Sequence, residues 1–110
     1  MFRQGTVVLT PFPFTDLSGD KVRPAIIISK DLKGDDVIVV FITSKKKGPG
    51  AHTVAIAPSA SNGLKTPSIA ICSKIATLDK KVILGELGGL SESDRKAVQK
   101  ALAVVLGFVV

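Results

Sequence analysis

Every residue of Ala25-Ile26-Ile27-Ile28 is apolar, and a run of that kind has no side to offer to water. A strand with one solvated face alternates apolar and polar residues, so an uninterrupted apolar run predicts a strand packed on both faces. Similar β-rich runs at 6–9, 37–43, 52–57 and 68–72, with the one at 25–29, predict five short strands. Turn chemistry separates them at Gly19-Asp20, Gly34-Asp35-Asp36, Gly48-Pro49-Gly50 and Asn62-Gly63. A weaker sixth strand is predicted over 82–87. Short strands buried on both sides suit a small closed barrel capped by a helix.

The last quarter changes period. Ser91 is a good N-cap with Asp94 three residues on, and Val98, Ala101, Leu102, Val105 and Leu106 fall on one helical stripe. Glu92 and Asp94 near its start, and Lys96 and Lys100 further along, suit the helix dipole in sign. The expected class is therefore mainly β with a C-terminal helix, and 110 residues suit one domain over 1–110. The stripe and the apolar tail Phe108-Val109-Val110 exceed what one small barrel needs. They are read either as core packing or as the contact of a homodimer.

Charge points to a class of partner. Fifteen Lys and Arg against nine Asp and Glu leave a net charge of +6, which for a small domain favours a polyanion such as nucleic acid or serves solubility alone. With no Trp or Tyr and five Phe, recognition would lean on charge and hydrogen bonds more than on stacking. Cys72 and His52 are each the only residue of their type. They provide no internal disulfide and no metal-ligand set, and no cofactor is expected. Cys72 within an apolar strand reads as buried and inert. His52 invites a general-base reading, but nothing in the sequence places a carboxylate beside it. The longest apolar run falls well short of a membrane span and no signal peptide opens the chain, so a cytoplasmic location is expected.

One cation is held more firmly than the rest. In Lys21-Val22-Arg23-Pro24-Ala25, the proline fixes its own φ and pushes Arg23 into extended geometry at the mouth of the apolar strand. A guanidinium on so stiff a backbone is a preorganised clamp for an oxyanion or phosphate, or a bridge between turn carbonyls. Between the first two strands, Pro11-Phe12-Pro13-Phe14-Thr15-Asp16-Leu17-Ser18-Gly19-Asp20 is too long for a tight hairpin and forms a candidate functional loop. Phe12 and Phe14 either pack on the barrel or stack on bases. The third strand ends in Thr43-Ser44 ahead of Lys45-Lys46-Lys47. Strand side chains alternate, so only one of the two hydroxyls shares a face with Arg23.

In order along the chain, Gly5-Thr6-Val7-Val8-Leu9, Pro13-Phe14-Thr15-Asp16, Lys21-Val22-Arg23-Pro24-Ala25, Ile42-Thr43-Ser44 and Leu64-Lys65-Thr66-Pro67-Ser68 resemble the signature of the MazF/PemK-type toxins of toxin–antitoxin modules. Lys74-Ile75-Ala76-Thr77-Leu78-Asp79-Lys80, Leu87-Gly88-Gly89-Leu90 and the terminal helix continue the match over nearly the whole chain. The resemblance implies a small SH3-like β-barrel, usually a homodimer, that acts as a metal-independent, sequence-selective endoribonuclease on single-stranded RNA and is neutralised by a cognate antitoxin. By the same resemblance Arg23 and Thr43 are the catalytic residues. Thr15, Asp16, Lys21, Ser44, Lys45, Lys46, Ser73 and Lys74 are the expected RNA contacts. The chain departs from several family members at Ser73-Lys74, where they carry an acid followed by Gln. A barrel that only binds RNA or protein, and a gyrase inhibitor of the similar CcdB type, are the alternatives.

Overall fold

A computed structural model describes residues 2–11, 22–30, 33–44 and 50–108. Among the described residues six strands and one α-helix follow in chain order: β1 (Thr6–Pro11), β2 (Val22–Ile27), β3 (Asp36–Ser44), β4 (Thr53–Ile56), β5 (Ser68–Asp79), β6 (Gly85–Gly89) and α1 (Glu92–Val105). All strand pairs are antiparallel, and the sheet order is β4-β5-β3-β2-β1-β6. The sheet is a half-barrel with a C-terminal helix. Among the described residues β4 and β6 do not pair. The gap between these two edge strands is bridged by the turn after β4, where Gly89 N–H donates to the Ser61 carbonyl at 2.8 Å.

The continuous apolar runs are buried on both faces, as their composition predicts. Val7, Ile26, Val40 and Ile42 join Ile56, Ala70, Cys72 and the helix residue Val98 in one core. Their chain neighbours Val8, Ala25, Ile27, Val39 and Phe41 form a second core on the other face, with Phe2, Leu78 and Ile83 packed against it. Strand residues alternate sides, so each central strand feeds both clusters in turn.

Element boundaries shift from the predicted ones for identifiable reasons. β2 stops at Ile27 because the Ser29 hydroxyl accepts from Ile38 N–H at 3.0 Å, substituting a side chain for the ladder. β4 starts after His52, which sits at φ 61°, a left-handed geometry that no strand continues. The run predicted to end at Cys72 continues to Asp79, because β5 passes through a register break. Phe41 pairs with Ile71, Val40 pairs with Ile75, and 72–74 are left as a bulge against β3. The strand predicted over 82–87 lies instead at Gly85–Gly89, after a 3₁₀ turn at Lys80–Val82 whose Asp79 cap accepts from Lys81 N–H.

The helix forms where its cap predicts. The Ser91 hydroxyl accepts from Asp94 N–H at 3.1 Å, Val98 is buried, and Ala101, Leu102 and Val105 pack on the first core. Leu106 leaves the stripe. It is the C-cap residue, followed by Gly107 at φ 78°, and it stands 51% exposed.

Asn62-Gly63 is more than a chain break. The Asn62 side chain accepts from Ser59 N–H (3.0 Å) and Leu64 N–H (2.9 Å) and donates to the Ala57 carbonyl (2.9 Å), all while buried. Gly63 at φ 72° and Gly88 then let this turn lie against β6 backbone to backbone, with no space for a Cβ on either glycine.

Candidate functional site

The register of β1, β2 and β3 places Arg23. Thr10 is its direct partner on β1. On β2 and β3 the pairing ends at Ala25 and Phe41, and by alternation Arg23 and Thr43, each two residues further along its strand, project to the same side as that last pair. Directly opposed residues project to one side of a sheet, here the side of the second core, which contains Val8, Ala25 and Phe41. Thr10 and Arg23 thus form a direct pair, and Thr43 lies on the same face at the end of the next strand. Pro24 follows Arg23 within β2, and Arg23 and Thr43 are both half-buried.

Of the two hydroxyls at the end of β3, the register selects Thr43 for the arginine's face. Ser44 is exposed and pairs with Ser68. Thr43 pairs on its far side with Ile69, so the position beside it on β5 is apolar. Ser73 and Lys74 fall in the β5 bulge, four and five residues beyond Ile69, on the order of 13 Å along the strand. Ser73 is exposed and Lys74 half-buried. The bulge therefore keeps this pair away from Arg23 and Thr43. Thr15, Asp16, Lys21, Lys45 and Lys46 lie outside the described residues, as do Phe12 and Phe14.

The first predicted run ends at Leu9, one residue short of Thr10. Its signal is parity: two residues beyond Val8, it shares that residue's face and carries a hydroxyl into it. The remaining candidates separate cleanly from these three residues. Cys72 is fully buried in the first core, and burial pushes its thiol up to about 11. His52 is exposed in the turn entering β4, where its carbonyl accepts from Cys72 N–H. A crevice of about 40 Å³ between α1 and the Gln4-Gly5 turn, lined by Ile28, Leu90 and Leu102, is too small for a nucleotide. It sits at the end of β2 away from Arg23.

A half-barrel that sets an arginine, on a proline-stiffened strand end, on the same face as two threonines is suited to an anionic ligand. The comparisons sharpen that class. Residues 3–106 match the family model of the PemK-like, MazF-like toxins of type II toxin–antitoxin systems. A protein of Mycolicibacterium smegmatis named as a probable endoribonuclease MazF is 31% identical over 91 residues, 80% of this chain and 83% of the relative. Among solved structures, an endoribonuclease in complex with its cognate antitoxin from a mycobacterial species superposes with a TM-score of 0.78 at 25% identity, covering 97% of this chain and 96% of that one. MazF from Deinococcus radiodurans, 20% identical with a TM-score of 0.76 and 96% of each chain covered, shares the fold. The chain belongs to the PemK-like, MazF-like toxin family, as the ordered motifs along its length imply.

Proposed function

We infer that this toxin is an endoribonuclease that cuts single-stranded RNA and is held in check by a cognate antitoxin. The observation that carries the reading is that half-buried Arg23, paired with Thr10 and followed by Pro24, shares a sheet face with Thr43 at the end of the next strand. The names of the mycobacterial relatives support it. In the proposed reaction the RNA 2′-oxygen attacks the adjacent phosphorus and the bond to the 5′-oxygen breaks. The 2′-hydroxyl proton leaves, the departing oxygen gains one, and the products carry a 2′,3′-cyclic phosphate and a 5′-hydroxyl.

Arg23 is catalytic here because negative charge grows on the phosphoryl oxygens as the new bond forms, and a preorganised guanidinium gains most at that moment. Thr43 donates its hydroxyl to the scissile phosphate and orients it for in-line attack. No metal takes part in this scheme. Ser44, Ser73 and Lys74, with Thr15, Asp16, Lys21, Lys45 and Lys46, contact the flanking nucleotides and select the cut sequence. The toxin acts in the cytoplasm, where messenger RNA is found; among the described residues no helix is long and apolar enough to cross a membrane. Exposed Val104, Leu106 and Phe108 at the end of α1 support a homodimer.

The test is cleavage of a broad set of single-stranded RNAs by purified protein in EDTA, with the new ends mapped. Cyclic phosphate and 5′-hydroxyl ends are expected, and Arg23→Ala should slow cutting at least about 10²-fold while leaving the melting temperature within a few degrees. RNA left intact by the parent protein would sink the assignment. RNA bound but uncut would select a purely binding barrel in its place.

A further inference from the structure

Among the described residues, Thr10 Oγ1 is the one buried side-chain polar atom with no hydrogen-bond partner. Thr10 is 0% exposed, stands opposite Arg23 in the β1–β2 ladder, and is one of the largest fully buried side chains. A valine would fill the same space with no unpaired hydroxyl, and buried polar groups are paired almost everywhere in folded proteins. The chain thus keeps an orphan acceptor at the position paired with the arginine that the function depends on.

We propose that Thr10 is a positioning residue for Arg23: its hydroxyl accepts an N–H from the guanidinium when the RNA phosphate draws that group into place. This rests on Arg23 being the phosphate clamp. Cβ atoms of directly opposed residues lie about 5 Å apart, so an arginine side chain folding over its partner brings its N–H groups to that partner's γ-oxygen. A guanidinium has five N–H donors, enough to grip a phosphate through two and still bond Thr10. Thr43 lies on the same face of the sheet at the end of β3, the strand on the other side of β2. On a stiff backbone, the bond to Thr10 fixes the guanidinium plane along the direction in which phosphoryl charge develops.

Thr10→Val and Thr10→Ser separate the hydroxyl from the methyl. The valine variant should lose about tenfold in kcat with KM changed less than about twofold, because the guanidinium still binds the phosphate but is less well aligned with the charge that develops. It should melt at or above the parent temperature, because an orphan hydroxyl has gone. The serine variant keeps the oxygen and should recover kcat to within about twofold while melting lower for want of the methyl. In an Arg23→Ala background the valine change should cost nothing further. A valine variant with parental kcat, a serine variant as slow as valine, or additive losses with Arg23→Ala would each overturn the proposal.

A second readout is independent of cleavage. In the presence of a 2′-O-methyl oligoribonucleotide, which cannot be cut, solvent exchange of at least one Arg23 guanidinium N–H should be about fivefold faster in Thr10→Val than in the parent, from loss of one bond to that donor. Equal exchange overturns the role of Thr10 even if the parent cuts no RNA. Faster exchange in Thr10→Val, where the parent cuts nothing, upholds Thr10 and removes only the nuclease.

Discussion

Gly88 and Gly85 lie three residues apart on the same edge strand, and replacing each with alanine tests what holds the half-barrel shut. A Cβ on Gly88 would meet the Asn62 carbonyl carbon at 2.9 Å and Asn62 Cα at 3.0 Å, and the Ser61 oxygen more closely still. All are backbone atoms and none can swing aside, whereas ordinary carbon contacts need about 3.5–4.0 Å. The turn must therefore retreat from β6, and the bond from Gly89 N–H to the Ser61 carbonyl goes with it. Overpacking contributes about 2 kcal/mol and the lost bond about 1 kcal/mol, so Gly88→Ala should destabilise by about 3 kcal/mol. In a domain of this size that lowers the melting temperature by roughly 12–20 °C. Gly85 has no atom within 4 Å of its would-be Cβ, and no left-handed φ, so Gly85→Ala should move stability by no more than about 0.5 kcal/mol. Thermal denaturation followed by circular dichroism compares the two directly. A Gly88→Ala protein melting within about 3 °C of the parent, or a Gly85→Ala protein melting equally low, would show that the seam does not close the fold.

Three further outcomes follow from the packing and the site. Asn62→Ala strips partners from Ser59 N–H, Leu64 N–H and the Ala57 carbonyl in a buried turn, and should cost about 2–4 kcal/mol in urea denaturation; a loss below about 0.5 kcal/mol would show that water replaces the side chain freely. The buried Cys72 thiol, raised from 9.0 to about 11 in the folded chain, stays protonated where the unfolded chain has already ionised. Its contribution is therefore intact below about pH 9 and falls away between pH 9 and 11, by roughly 2–3 kcal/mol at most. Relative to Cys72→Ala the parent should lose stability across that window, and parallel pH profiles of the two proteins would refute the burial argument. Thr43→Val, isosteric but without the hydroxyl that orients the phosphate, should lower kcat about 10²-fold with the fold intact; RNA cut at the parental rate would remove Thr43 from the site.

Much of the fold is legible because it depends on local chemistry. The apolar runs announce strands buried on both faces, and Ser91 with Asp94 announces the start of the helix. Both are decided by residues within a few positions of one another. Ser73-Lys74 interrupts the apolar pattern and so predicts a strand end at Cys72, whereas pairing with β3 makes these residues a bulge inside a strand that goes on to Asp79. Leu106 fits the helical stripe by spacing, yet the helix ends one residue before it.

Arg23 on its proline-stiffened backbone is a property of the chain itself, since Pro24 constrains its predecessor wherever the segment lies. So are the cap at Ser91, the two-faced strands and the motif order that implies the family. Which residues stand beside Arg23 is not a local property. Thr10 and Thr43 are 13 positions before it and 20 after it, and they share its face only through the registers of two ladders. A slip of one residue in either ladder would turn the hydroxyl to the opposite face. The residues that fix those registers lie along whole strands packed into two cores, so the neighbours of the arginine were decided by the tertiary fold.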